Sequence, residues 1–140
     1  MAIRYFCRTG LEVRHKPDGS PVTEADRHVE RLLRMRLALA RPDDAVVGEE
    51  FDTTGTGARR WFIDPVDGTA GFIAGRPGWR TLLAVEIDEV VTTGVVSAPA
   101  LGRAGTRAAG AVRGSVSTVS ETRNRGFRHC TSLQRPSSTT

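Results

Sequence analysis

Trp61-Phe62-Ile63-Asp64-Pro65-Val66-Asp67-Gly68-Thr69 is the stretch on which the reading of this chain turns. Arg60 to Ile63 is an apolar ramp, the pattern of a buried strand. Pro65 has no N–H and a fixed φ, which predicts that the strand stops there. Two carboxylates, Asp64 and Asp67, flank that stop. Gly68 permits a tight turn and close approach of a ligand to the backbone, and Thr69 adds a hydroxyl. Carboxylates at the tip of a buried strand, beside exposed N–H groups, suit a hard divalent cation and a phosphate together. Asp-Pro and Asp-Gly are also ordinary turn dipeptides, so the chemistry needs support from elsewhere in the chain.

Support comes from both sides. Thr23-Glu24-Ala25-Asp26 predicts a helix start, with Thr23 as N-cap and acids in the first turn. Ala25, Val29, Leu32, Leu33, Leu37 and Ala40 form its apolar stripe. Arg27, Glu30, Arg31 and Arg34 lie off the stripe and are expected in solvent. Arg41-Pro42 ends the helix. Ala45-Val46-Val47 reads as a second buried strand, ending on Gly48-Glu49-Glu50, another tip that bears acids. Ahead of the helix, the turn Lys16-Pro17-Asp18-Gly19-Ser20-Pro21 presents a lone Lys. After Thr69, Ala70 to Ala74 predicts one helical turn. Thr81 to Ile87 and Val90 to Ser97 predict a hairpin turning on Asp88-Glu89. Met1 to Arg14 has weak helical character. From about residue 115 the chain is poor in apolar residues and expected to be disordered.

Length and composition set the frame. The chain has 140 residues, 39% of them hydrophobic, enough for one domain of ordinary size. No apolar run would span a bilayer and no signal peptide pattern is present, so a soluble cytoplasmic protein with no membrane partner is expected. Cys7 and Cys130 lie far apart without ligand spacing and are expected to be reduced thiols. Residues 1–89 hold 13 basic and 15 acidic side chains, whereas residues 90–140 hold seven Arg and one acid, Glu121. The basic tail has no dense basic run and one aromatic, Phe127, which argues against a nucleic-acid partner.

Two alternative motifs fail on spacing. With Gly68 at the sixth position of an EF-hand loop, Ile63 and Ala74 would fill terminal ligand positions, and neither side chain can ligate. Haloacid-dehalogenase-type phosphatases use Asp-x-Asp-x-Thr, a closer spacing than that of Asp64 and Asp67. The stretch instead resembles Trp-x-x-Asp-Pro-x-Asp-Gly-Thr of the inositol monophosphatase family. Val22-Thr23-Glu24-Ala25-Asp26 and Gly48-Glu49-Glu50 stand in the family's order before it. Within the family, Lys16 to Arg27 and Gly94 to Arg103 look most like the actinobacterial type of histidinol-phosphatase.

The resemblance implies a layered α/β fold, an α+β sandwich of which this chain is the N-terminal portion, and Mg2+-dependent hydrolysis of a small phosphate monoester by metal-activated water. By motif position, Glu49 and Asp64 would hold one Mg2+ with the Val66 carbonyl, and Asp64 and Asp67 a second. Thr69, hydrogen-bonded to Asp26, would orient the attacking water, with Glu49 also in the catalytic set. The N–H groups of Gly68 and Thr69, and Lys16, would hold the phosphate, with Glu50 behind them. The family domain is longer than this chain, and its Trp-Asp-x-Ala motif has no counterpart here, because no Asp follows Asp88. Residues 1–114 are therefore expected to form a partial domain and 115–140 a tail outside the family pattern, as a truncation or shifted frame would produce. Two functions stay open: the hydrolase, or a non-catalytic remnant that binds Mg2+ or phosphate weakly or acts by association with another chain. The expected partners are a small phosphorylated substrate and either a second copy or a complementing chain.

Overall fold

A computed structural model describes residues 1–109 and 116–123. Strands β1 (Val13–His15) and β2 (Pro21–Thr23) form a small antiparallel ribbon whose turn bears Lys16. β2 runs directly into helix α1 (Glu24–Ala40). Thr23 caps it as the sequence predicts: its side chain accepts from the Ala25 N–H, and the Asp26 carboxylate accepts from the Thr23 N–H at 2.8 Å. The stripe is buried at its start, through Ala25 and Val29.

The face opposite expectation is the informative one. Glu30, expected in solvent, is completely buried. Its carboxylate accepts from Arg34 Nε at 2.8 Å and from the Glu50 N–H at 2.8 Å. Burial of a carboxylate is tolerated only with such charge pairing and hydrogen bonding. Arg27 and Arg31 lie over the Phe51 ring, 5.0 and 5.7 Å from its centroid. This charged face therefore grips the chain that follows the next strand.

That strand, β3 (Ala45–Gly48), starts a six-stranded sheet with β4 (Arg59–Asp67), β5 (Arg80–Ile87), β6 (Val90–Ala98), β7 (Arg103–Ala109) and β8 (Val116–Arg123), in chain order. β3 and β4 are parallel and every later pair is antiparallel. The β5–β6 hairpin turns on Asp88 and Glu89, both at positive φ (50° and 63°), the conformation of a two-residue turn matched to strand twist.

Three expectations are corrected. β4 does not stop at Pro65 but continues to Asp67, with a register shift between Asp64 and Asp67. A bulge accommodates the missing N–H, and the Pro65 carbonyl accepts from Thr81 Oγ1 at 2.8 Å. Disorder from residue 115 does not hold for Val116–Arg123, which pairs with β7. An unpaired edge strand is a template for such Val- and Thr-rich sequence; the rest of the expected tail lies outside the described residues. No described cysteine is free, so Cys7 is not the reduced thiol expected, and Cys130 lies outside the described residues. The weak N-terminal helix is a short 3-10 turn, Ala2–Arg4.

Helix α2 (Thr69–Ile73) follows Gly68, whose φ of 86° is the left-handed conformation that glycine adopts without a Cβ clash. It is the predicted single turn, begun one residue earlier. Its Phe72 packs against Trp79, with ring centroids 4.9 Å apart at 80°, and Phe6 closes the cluster at 5.5 and 5.6 Å. Ala2, Ala25, Val29 and Val66 complete this core, which ties the N-terminus, α1, β4 and α2 together. The architecture is the expected layered combination of helix and sheet.

Candidate metal and phosphate site

The site is assembled from the ends of α1, β3 and β4 and the start of α2. At the N-terminus of α1, the Asp26 carboxylate is buried. It accepts from Thr23 through one oxygen and from Thr69 Oγ1, at 3.2 Å, through the other. Thr69 Oγ1 also lies 2.9 Å from the Val66 carbonyl. A hydroxyl has one proton, so Asp26 and Val66 compete for it.

Where β3 ends and β4 reaches its bulge, the Asp64 carboxylate lies against that of Glu49. Burial first, and then the Glu49 and Asp67 carboxylates, push the Asp64 carboxyl up to about 7. Its Oδ1 is buried with no hydrogen-bond partner. The ribbon turn brings in Lys16, whose Nζ is 2.8 Å from both Glu49 and Glu50. Burial acts to lower the Lys16 pKa, but hydrogen bonds to the two glutamates outweigh it and raise it. Burial raises the Glu50 carboxyl against the opposing pull of Lys16.

Asp26, Thr69 and Val66 are thus joined, as are Glu49, Asp64 and Lys16. Asp67, whose charge acts on Asp64, makes its own ion pair with Arg80 at 3.3 Å on the surface. Among the described residues no three of His, Cys, Asp and Glu are gathered tightly enough to hold a metal ion. The donor set still fits a hard divalent cation, since every candidate is a carboxylate or carbonyl oxygen and Asp64 Oδ1 is a buried acceptor without a donor. Gly68 places the Thr69 N–H at the mouth of the α2 turn.

The sequence reading missed Glu30 and Arg34. One signal was available in Gly48. Its φ is not positive, so its need for glycine is one of space: a Cβ there would run into the Glu30 carboxylate and the Arg34 guanidinium. Beside the site, the uncovered sheet face forms an open hollow of about 500 Å3, lined by Val47, Phe62, Leu82, Ala84 and Val96 with Glu49 and Asp64 at its rim.

Comparison with known proteins follows the same lines. The model of the inositol monophosphatase family matches residues 3–139, across the boundary at which the sequence reading ended the family-like domain. Histidinol-phosphatase of Streptomyces coelicolor is 51% identical over 102 residues, 70% of this chain and 38% of that protein. Inositol-1-monophosphatase of Mycobacterium leprae is 42% identical over 96 residues, 64% of this chain and 33% of that protein. The crystal structure of the extragenic suppressor protein suhB from Bartonella henselae superposes with a TM-score of 0.75 at 29% identity, covering 87% of this chain and 47% of that one. The chain therefore spans well under half the length of the curated relatives it matches. Among the described residues, no helix is long and apolar enough to cross a membrane.

Proposed function

Because the chain belongs to the inositol monophosphatase family, we propose that its strand-tip acids form the N-terminal part of a Mg2+-dependent phosphomonoesterase site acting on histidinol phosphate or an inositol monophosphate. The observation that carries this reading is the partnerless buried oxygen of Asp64 beside Glu49. Glu49, Asp64 and the Val66 carbonyl would hold one Mg2+, and Asp64 and Asp67 a second. Bound Mg2+ supplies charge neutralisation at the phosphate and a lowered pKa for water.

The chain's own residues supply the rest. With its proton held by Asp26 rather than Val66, the Thr69 hydroxyl presents a lone pair to a water and accepts that water's proton in a hydrogen bond. Asp26, itself held by the Thr23 cap, fixes that orientation. The N–H groups of Gly68 and Thr69 would bind phosphate oxygens. Lys16 would leave Glu49 and Glu50 to face the phosphate or the water. Relatives named for histidinol phosphate and inositol phosphate chemistry support this substrate class.

One observation favours a second reading. The apolar hollow beside Asp64 is open, which suits a chain that works only in association with a second copy or a complementing chain. Phosphate release by the 140-residue chain, with histidinol phosphate or inositol 1-phosphate and Asp64→Asn as control, separates the two. Mg2+-dependent release that the mutant loses supports the hydrolase. Release no greater than the mutant's, from a folded chain, sinks it as a property of this chain alone.

A further inference from the structure

The Glu30–Arg34 pair is buried, charged and unused by the chemistry above. Three contacts bind it to the segment that follows β3, and a fourth to β3 itself. Glu30 accepts from the Glu50 N–H at 2.8 Å. Arg34 donates to the Phe51 carbonyl at 2.9 Å, to Thr54 Oγ1 at 3.0 Å and, at the limit of a hydrogen bond, to the Val46 carbonyl at 3.5 Å. The Arg34–Glu30 bond of 2.8 Å spans one turn of α1 and presents the two side chains as one plate. Gly48 lets the backbone lie directly on that plate. Glu49 sits between Gly48, which packs on the pair, and Glu50, whose N–H the pair holds, while its own side chain, 43% exposed, meets Lys16 and the Asp64 carboxylate.

We propose that Glu30 and Arg34 are positioning residues for Glu49: they fix the backbone of Glu50–Phe51 so that the Glu49 carboxylate meets Asp64 beside the β4 bulge. This rests on the reading of Glu49 and Asp64 as cation ligands. A carboxylate on an untethered loop would have to be ordered each time a cation bound. One whose flanking backbone is already hydrogen-bonded meets that cost in folding. Arg suits the task where Lys does not, since its acceptors are divided among Nε, Nη1 and Nη2, a spread that a planar fork spans and a single ammonium does not.

The test uses the full chain and Mn2+ as probe, with binding followed by the loss of the free-ion electron paramagnetic resonance signal. Glu49→Gln tests the site itself. Glu30→Gln and Arg34→Lys test the positioning, with a cooperative urea transition required of each variant; if Glu30→Gln does not fold, Arg34→Lys decides. The expectation is that Glu49→Gln abolishes the binding that Glu49 and Asp64 share and the two positioning variants weaken it about ten- to a hundredfold, as partners behind metal ligands do. Hydrogen exchange at the Glu50 amide should accelerate in both while the β5–β6 hairpin stays protected. A folded Arg34→Lys chain that binds Mn2+ as the parent does, with Glu49→Gln defective, overturns the positioning role and leaves the site reading standing. No binding by the parent chain, or binding indifferent to Glu49→Gln, overturns the site reading and the positioning role with it.

Discussion

Asp64 shows how a single residue's surroundings set its chemistry. Its ordinary pKa is 3.8, and burial with the Glu49 and Asp67 charges pushes it up to about 7. The folded chain therefore holds this proton more tightly than the unfolded chain. Between about pH 4 and pH 7 unfolding releases a proton, so stability falls as pH rises through that window. The contribution is fully present below the unfolded value and gone above the folded one. Urea midpoints of the cation-free chain should decline from about pH 4.5 to 7.5. Asp64→Asn, which has no proton to lose, should flatten the decline; an equally steep slope in the mutant would place its origin elsewhere. Mg2+ should raise the midpoint most at the alkaline end, where the acids are charged and unshared.

At the scale of elements, the hairpin is the clearest case of local chemistry setting shape. Asp88 and Glu89 both occupy the left-handed region, which costs a residue with a Cβ about 1–2 kcal/mol. Glu89→Gly creates the Asp-Gly pair preferred in such turns. It should stabilise the chain by about 1 kcal/mol, after the added entropy of glycine in the unfolded state is set against relief of strain. A thermal midpoint that does not rise would mean the turn is not rate- or stability-relevant in the way its geometry implies. α1 was legible for the same reason: cap, first-turn acids and stripe are all nearest-neighbour features. The bulge in β4 was not. Pro65 forbids one ladder bond, but whether a strand ends or bulges there depends on Arg80 and Thr81 across the ladder.

For the whole molecule, one small core bears most of the load. Trp79, Phe72 and Val66 are each about 1% exposed and join the N-terminal turn, α1, β4 and α2. Trp79→Ala should cost about 3–5 kcal/mol. A domain of this size has a total stability of only about 5–15 kcal/mol. The expected outcome is a large loss of the cooperative urea transition, with a smaller loss in Trp79→Phe. A mutant melting like the parent would show that the aromatic cluster is not the centre of stability. The opposite sheet face contributes little, because Phe62, Leu82 and Val96 border an open hollow. Burying it against another chain would add apolar contact beside Asp64 and so couple association to the site.

The sequence by itself determined the candidate site's inventory: Asp26 on a helix cap, acids in and after two neighbouring strands, and a glycine-led turn after the second. Each is written in residues a few positions apart, where dihedral limits and hydrogen-bonding groups act directly. Only the tertiary structure decided which of them meet. Lys16 reaches Glu49 across 33 residues of chain, and Thr69 reaches Asp26 across 43. It also decided that Glu30, polar and off the stripe, lies inside while Asp67 turns outward to Arg80. Periodicity reports which face of a helix is apolar. It does not report which backbone will arrive to satisfy a charge on the other face, since that depends on contacts between distant parts of the chain.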